Sequence, residues 1–395
     1  MMEIKVVSNL DKKVKAKLKN FGKKDSNLNS LNPYVLGDKE IYPELDKIVE
    51  KFLNYHKGNA DGVFSWVNEL NKLAKDLEGE NISYKGDSAN QHYGLPTHVN
   101  GDYKNGLIYH CLFNAGTNGV EDSIKTNFSK DETGSETYTL KEYYKIPEEY
   151  AKKEKDSKKE KDSKKEKDSK KEKEPDKGPT DINELISEGK KLENKIINVR
   201  NNIIGPNSLL TKELKKERRT GERGYYCKTY YKEILEKNKD FYFDPDISND
   251  DIDDIYKATN NLVNIELYPL RSKNKEGAKY KLNKFSLFGA YIILYRIGKY
   301  LNEVEDSNIQ KPIFIFRSFS EWKNCIIAAI KNQFNFDKDT TDELFEYLYD
   351  NFFLEFSSPN AGSVSSNNLV KKVKIGVERF DDMIDCISKP KDSAK

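Results

Sequence analysis

A segment rich in cations and tyrosines lies near the middle of the chain. Arginine is rare in this sequence, with eight residues in all, yet three of them fall within six positions of this segment. Guanidinium groups bind phosphate through paired hydrogen bonds and tyrosine rings stack on unpaired bases, so the combination is typical of a surface that binds nucleic acid. The candidate nucleic-acid-binding residues are Lys212, Lys215, Lys216, Arg218, Arg219, Arg223, Tyr225, Tyr226 and Lys228.

The same segment also has a purely structural interpretation. Glu213, Glu217 and Glu222 stand close to the cations, and ion pairs along a solvated helix with half-buried tyrosines would account for the pattern without a ligand. However, Gly221 interrupts any helix there, and the chain elsewhere uses lysine almost exclusively as its cation. We therefore expect a turn at this glycine that presents the arginines.

Three of the four histidines lie within twenty positions, at His92, His98 and His110, with Asp87 and Asp102 nearby. Neutral imidazoles and carboxylates are the groups that a metal-dependent phosphoesterase uses to activate water. The segment lacks His-Glu-x-x-His and every other fixed ligand spacing, which favours polar loop histidines. A metal-dependent hydrolase or nuclease is therefore the weakest alternative.

Six aspartates crowd residues 244–254 and invite a calcium-binding interpretation. The EF-hand spacing fails, because counting from Asp244 no glycine stands at the sixth position and no glutamate at the twelfth. Acidic residues at a helix start are stabilised by the helix dipole, and Ser248 is a suitable cap. The chain also lacks a P-loop, a dinucleotide-binding glycine motif and a serine-hydrolase elbow, so we predict no metal and no cofactor.

The elements that must position these residues are mostly helical. Apolar residues recur every three or four positions in several segments, as in amphipathic helices. Phe285–Leu301 is apolar on most faces, which predicts a buried central helix. The predicted helices are 43–53, 60–77, a heptad-like stripe over 182–203, helices after the capping boxes Ser318/Glu321 and Thr340/Glu343, and a last helix over 369–387. Strands are predicted at 4–7 and 312–316, whereas 107–112 fits either a strand or a helix.

A low-complexity run divides the chain. Lys152–Pro175 reads KKEKDS three times and then KKEKEP, without one apolar residue, so it cannot enter a core. We predict a disordered tether at 151–179 between an N-terminal, mostly helical domain at 1–150 and a C-terminal helical domain at 180–395. The predicted fold class is mainly α, that is, α+β with minor strands in two helical domains.

Composition excludes several classes of protein. The 68 basic and 66 acidic residues give a net charge of +2, so the chain is not a uniformly basic nucleic-acid coat. We find no apolar run near the 20 residues of a membrane span and no hydrophobic leader. Four isolated cysteines indicate reduced, mostly buried thiols, and together these features predict a cytoplasmic protein.

The function predicted from these residues is non-enzymatic association with nucleic acid, as in an accessory subunit of a prokaryotic defence or nucleic-acid-processing complex. The principal alternative is a protein-interaction scaffold, or an interaction protein of the kind found in parasites, whose apolar stripes at 182–203 and 369–387 bind partner helices.

The predicted tether can be tested by limited proteolysis. Trypsin should cut first within Lys152–Lys177, because that segment offers many lysines and no apolar residue to protect them. Mass spectrometry of the earliest fragments checks this. First cleavage elsewhere, with 152–177 intact, would contradict the prediction.

Overall fold

The computed structural model describes residues 10–35, 42–56, 64, 66–73, 95–116, 182–220, 224, 226–237, 249–272, 282–304, 310–358, 362–370 and 380. Within these ranges, only the backbone is described at 55–56, 67, 71, 114–116, 182–191, 216, 218–220, 237, 249–251 and 271–272. The predicted tether, the domain boundaries near 150 and 180 and the predicted strand at 4–7 lie outside the described residues.

A six-stranded mixed sheet forms the centre of the described structure, in the order β3-β1-β4-β2-β5-β6. Strands β4, β2, β5 and β6 run parallel to one another, β1 is antiparallel to β4, and β3 is parallel to β1. The strands are β1 Val99–Asn100, β2 Ile108–Gly116, β3 Ile204–Gly205, β4 Leu262–Ser272, β5 Ile313–Phe316 and β6 Phe353–Glu355.

This sheet shows that the predicted fold class, mainly α in two helical domains, is wrong. Strand β2, which precedes the predicted tether in sequence, lies between β4 and β5, which follow it. The arrangement is of the α/β type. Central parallel strands are buried on both faces and therefore lack the polar–apolar alternation that identifies a strand in a sequence.

Helices surround the sheet. They are α1 Lys12–Gly22, α2 Asp25–Asn29, α3 Pro43–His56, α4 Trp66–Leu73, α5 Ile182–Ile203, α6 Leu209–Thr220, α7 Lys232–Lys237, α8 Asn249–Asn260, α9 Lys284–Glu303, α10 Phe319–Phe334 and α11 Lys338–Phe352. A π-helix spans Tyr226–Tyr230 and a 3₁₀ turn spans Ser366–Asn368. None of the described helices is long and apolar enough to cross a bilayer.

Several predicted elements are confirmed and others are corrected. The helix from Pro43, the buried helix at 285–301 and the strand at 312–316 are present as α3, α9 and β5. The predicted capping boxes are absent, because Ser318 makes no side-chain cap bond and Asp337, rather than Thr340, caps α11. Leu369 does not begin a helix, since it forms a β-bridge with Phe356.

Alternation along β2 divides the interior into two apolar clusters. Tyr109, Cys111 and Phe113 pack in the cluster that contains α9 and α10. Ile108 lies in the other cluster, with apolar residues of α6, the π-helix and α7. His110 is on the same side of β2 as Ile108, because successive side chains of a strand point to opposite faces. Helices α9 and α6 therefore cover opposite faces of the sheet.

Helix α1 packs on α9 at a very close crossing between Gly22 and Gly298. A Cβ on Gly22 would lie 2.0 Å from the Lys299 nitrogen, and one on Gly298 would lie 2.2 Å from the Leu18 carbonyl oxygen. These backbone contacts leave no room for a methyl group, so both glycines are required for the approach. The crossing holds α1 rigidly against the long buried helix.

We predict that Gly298→Ala lowers the free energy of unfolding by about 1–3 kcal/mol, because overpacking at this contact outweighs the better helix propensity of alanine. Urea unfolding followed by circular dichroism measures the change. Gly362→Ala is the matched control, since a Cβ at Gly362 meets nothing within 4 Å. Equal stability of the Gly298→Ala variant and the parent protein would show that α1 is not tightly docked.

Candidate nucleic-acid interface

The predicted segment at 212–228 occupies α6 and the π-helix, on the face of the sheet that bears His110. Leu210 and Leu214 turn towards the core and are buried. The backbones of Lys216, Arg218 and Arg219 lie in α6, but the structure does not describe their side chains, and Arg223 and Tyr225 lie outside the described residues. The predicted turn at Gly221 also lies outside them.

Two lysines of this segment are engaged in contacts within the fold. The Nζ atom of Lys212 donates to the Asn100 side-chain oxygen at 2.5 Å and to the Asn201 carbonyl at 2.6 Å, which ties α6 to β1 and α5. Lys215 places its ammonium 4.9 Å from the ring centre of Tyr256. Lys228, in contrast, is exposed.

Glu213 stabilises the start of the π-helix. Its Oε2 accepts a hydrogen bond from the Cys227 backbone N–H at 2.7 Å. Gly224 lies so close to this carboxylate that a Cβ there would be 2.3 Å from the Glu213 side chain. The carboxylate thus holds together α6 and the π-helix, a role that helical spacing alone does not indicate.

The tyrosines of the segment pack on one another. Tyr226 is half-buried, and its ring centre lies 5.3 Å from that of Tyr230 and 6.3 Å from that of Tyr231. Tyr231 is completely buried. The rings of Tyr226 and Tyr230 are therefore partly occupied by protein contacts, which reduces the surface that a base could stack on.

The histidines do not form a metal centre among the described residues. His98 and His110 are both completely buried, and His92 lies outside the described residues. His98 Nδ1 lies 3.0 Å from the Tyr34 hydroxyl, whereas His110 Nδ1 lies 3.2 Å from the Tyr231 hydroxyl, so the two imidazoles have different surroundings. No group of three potential metal ligands occurs in the part of the chain that the structure describes.

A buried polar row crosses the sheet from β4 to β5. Asn264 Nδ2 donates to the Tyr231 hydroxyl at 2.5 Å, and Arg317 Nε donates to His110 Nε2 at 3.2 Å. Because Arg317 uses the Nε2 lone pair, neutral His110 carries its proton on Nδ1 and donates it to Tyr231. The guanidinium also lies over the rings of Tyr230 and Phe356, 4.5 and 4.4 Å from their centres.

Burial keeps both histidines neutral. It lowers the pKa of His98 to about 3, and it lowers the pKa of His110 well below its usual value, with the Arg317 charge acting in the same direction. Both ring nitrogens of His110 are hydrogen-bonded, so this imidazole organises the core. In the sequence, this row could have been found only from Asn264 and His110, which are polar residues within apolar strand segments. Polar residues that are buried in strands require hydrogen-bond partners.

Among the described residues, a further concentration of positive charge lies on α1 and the residues that follow it, a surface that the sequence-based site prediction missed. Seven lysines and no acidic residue occur between positions 12 and 24: Lys12, Lys13, Lys15, Lys17, Lys19, Lys23 and Lys24. Val14, Leu18 and Phe21 are buried, which leaves the lysines on the remaining, solvent-facing sides. The absence of any Asp or Glu from this run was the signal that would have found it. We call these seven residues the lysine surface.

Most ammonium groups of the lysine surface have no carboxylate partner. Lys17 donates to the Phe334 carbonyl at 3.1 Å and lies over the Phe336 ring. Within the described ranges, no carboxylate pairs with five of the others, namely Lys12, Lys13, Lys15, Lys23 and Lys24. Asp11 and Asp25 directly flank the run in sequence. Asp11 caps α1 by accepting from the Lys13 backbone N–H at 2.8 Å, and Asp25 pairs with Lys104 at 3.2 Å.

The buried neutral histidines predict acid sensitivity. A histidine whose pKa is lowered in the folded state binds its proton in the unfolded state first, so stability is complete above about pH 6.5 and falls as the pH decreases. We expect each of His98 and His110 to reduce the free energy of unfolding by about 1.4 kcal/mol in total between pH 7.5 and pH 5.5. Urea unfolding at pH 7.5 and 5.5 measures this, and equal stability at both values would contradict it.

The described site thus combines a rigid helix with unpaired lysines and, on the other face of the sheet, a basic segment partly engaged in the fold. It contains no group of three potential metal ligands among the described residues. No protein-family model, curated protein or solved structure matches the chain.

Proposed function

We propose that this protein binds nucleic acid without catalysing a reaction on it, and that the lysine surface is its principal contact with the phosphate backbone. The observation that carries the proposal is the run of seven lysines without an acid, of which five have no carboxylate partner among the described residues. Lysine ammonium groups that replace condensed counterions on phosphates provide most of the affinity of sequence-independent binding.

The dimensions of α1 suit a duplex backbone. Its 11 residues span about 16 Å, which corresponds to about five base-pair steps. Arginine and aromatic side chains, which read bases or stack on them, are absent from positions 12–20, and Phe21 is buried. We therefore propose binding that depends on charge and spacing, with little sequence preference.

An anionic membrane would attract the same charges, but the structure favours nucleic acid. Helices that bind membranes insert their apolar face between lipids. The apolar face of α1 instead packs in the core, where Leu18 is completely buried, and the close crossing of Gly22 and Gly298 holds it there. The solvent-facing side of α1 therefore offers a partner its charged side chains and not its apolar face.

The segment at 212–228 supplies at most a second, separate contact. Helices α6 and α1 lie on opposite sides of the sheet, since α1 packs on α9. One straight duplex cannot bridge both helices. The role of Arg218, Arg219 and Arg223 stays a prediction, as does membership of a defence or processing complex.

The alternative scaffold function has less support, because α5 uses its apolar stripe within the molecule. Val199 and Ile203 are buried, and Leu192 and Ile196 pack against the same core. Arg200 also binds Asp46 of α3 at 2.9 Å. The described half of this stripe is therefore not available to a partner helix.

The proposal is tested with a triple variant, Lys13→Gln, Lys23→Gln and Lys24→Gln. Loss of three phosphate contacts should reduce the slope of log K against log salt concentration by about 2.7 for duplex DNA. Fluorescence anisotropy with a labelled duplex measures the slope. Salt concentrations between 50 and 200 mM are suitable, because the affinity of such binding changes strongly over this range.

The matched control removes three exposed lysines elsewhere, with Lys232→Gln, Lys257→Gln and Lys323→Gln. Its slope should stay within error of the parent protein. The same slope in both triple variants, absence of saturable duplex binding, or a preference for anionic vesicles over duplex would each reject the proposal.

A further inference from the structure

A cleft of about 790 Å³ lies between α3, α4, the segment 30–35 and the first turns of α9. Its volume is in the range of sites that enclose small molecules. The apolar part of its lining includes the half-buried Leu31 and Leu73 and the almost fully buried Ile48, Leu287 and Tyr291. Apolar lining of a concave site is the usual contact area for the body of a small ligand.

Contacts between its walls fix the shape of the cleft. Lys51 of α3 binds Glu69 of α4 at 3.2 Å, which joins two of the walls. The ring centres of Phe52 and Trp66 lie 5.0 Å apart and join the same two helices within the core. A site that is already formed needs little reorganisation when a ligand binds, which favours affinity.

Most of the charged side chains around the apolar lining are paired with one another. Lys47 binds Glu44 at 2.8 Å, and both Lys51 and Lys72 bind Glu69. Burial raises the pKa of Glu69, but the hydrogen bonds from Lys72 and Lys51 outweigh it, so the pKa lies below its ordinary value. The carboxylate therefore stays ionised, and these pairs are formed without a ligand.

The two remaining charged residues of the lining do not call for a charged ligand. Glu50 is the neighbour of Lys51 in sequence, and its charge offsets the second cation that Glu69 binds. Lys284 is engaged in a contact of its own. A charged ligand would lose its hydration here without gaining a free counter-charge, which costs free energy. The lining therefore favours an uncharged molecule.

One neutral hydrogen-bonding group of the lining is accessible. Asn54 lies on the face of α3 that carries Lys47 and Lys51, and its side chain is only half-buried. Within the described part of the chain, its carboxamide has no hydrogen-bond partner. An amide offers both donors and an acceptor, so it binds a hydroxyl, an amide or another neutral polar group.

We propose that this cleft binds a small, uncharged and largely apolar molecule whose neutral hydrogen-bonding group meets Asn54. The apolar lining contacts the body of the ligand, and the paired charges disfavour a charged one. The carboxamide selects a hydroxyl or an amide over a plain hydrocarbon, which would leave it without a partner. An inorganic ion would leave the apolar lining empty.

The first experiment uses the parent protein and the uncharged fluorescent probe N-phenyl-1-naphthylamine, for which we expect saturable binding at one site. Three competitors share one ring system: 1-naphthol, 1-naphthoate and naphthalene. Displacement of the probe should need at least tenfold less 1-naphthol than 1-naphthoate, because the charge is disfavoured. It should need about threefold less 1-naphthol than naphthalene, as expected for one hydrogen bond. Absence of saturable probe binding, or equal displacement by 1-naphthol and 1-naphthoate, would overturn the proposal.

The second experiment removes the hydrogen-bonding group with Asn54→Leu. Leucine has a similar size and a better helix propensity, so folding should be preserved. The preference for 1-naphthol over naphthalene should disappear in this variant. The matched control is Asn20→Leu, the same change at an exposed position of α1, which should keep the preference. A preference that persists in Asn54→Leu would contradict the proposed contact.

The third experiment fills the cleft with Leu31→Trp or, in a separate variant, Leu73→Trp. Each should raise the dissociation constant of the probe at least fivefold, and circular dichroism checks that each variant is folded. The control is Val304→Trp, because Val304 is 37% exposed and follows α9 about 30 Å from its first residue. This control should leave the constant unaltered.

Unchanged probe binding in both folded tryptophan variants, or an equal loss in the control, would place the probe elsewhere and overturn the site. The outcome is independent of the proposed function, because duplex binding is assigned to the lysine surface. Loss of duplex binding in the Lys13, Lys23 and Lys24 variant with normal probe binding would leave the cleft intact, and the reverse result would leave the nucleic-acid surface intact.

Discussion

The position of β2 between β4 and β5 is the constraint on which the rest of the described structure depends. Both backbone edges of β2 are bonded in parallel register, with His110 opposite Asn264 on one side and Ile315 on the other. Alternate side chains of this strand enter the two apolar clusters. Helix α9 covers one of these faces and α6 the other, and α1 packs on α9.

The sequence predicts helices that are buried along one face and helices that are buried on nearly all faces. Leu45, Ile48 and Phe52 recur at helical spacing and identify α3, and the apolar run from Phe285 identifies α9. Strand β4 was overlooked although Val263, Ile265 and Leu267 alternate with Asn264 and Glu266. Such alternation is typical of a strand with one solvated face, whereas here both polar residues are buried. These polar groups are stabilised by partners from distant segments, and local pattern contains no information about such partners.

For a similar reason, one part of the candidate interface can be predicted from the sequence and another part cannot. The charge of the lysine surface is local, and its apolar face has a helical period, so both properties are present in the sequence. The hydrogen bond of Lys212 cannot be predicted in this way, since its partner Asn100 is 112 residues away in the sequence. Polar bonds also fix α6, where Asn264 accepts from the Leu209 N–H at 3.2 Å and Thr211 binds Thr259 at 2.7 Å. Such bonds are directional and thus specify one orientation of the helix.

The sheet topology has a consequence for the chain during its synthesis. About 145 residues separate the end of β2 from the start of β4, its first parallel neighbour. At about 5–20 residues per second, β2 waits on the order of 10–30 s after its own synthesis before that neighbour leaves the ribosome. During this time both edges of a strand rich in apolar residues are unpaired, a state that favours association with other chains. The topology therefore leaves β2 without its parallel partner strands until the second half of the sheet has been synthesised.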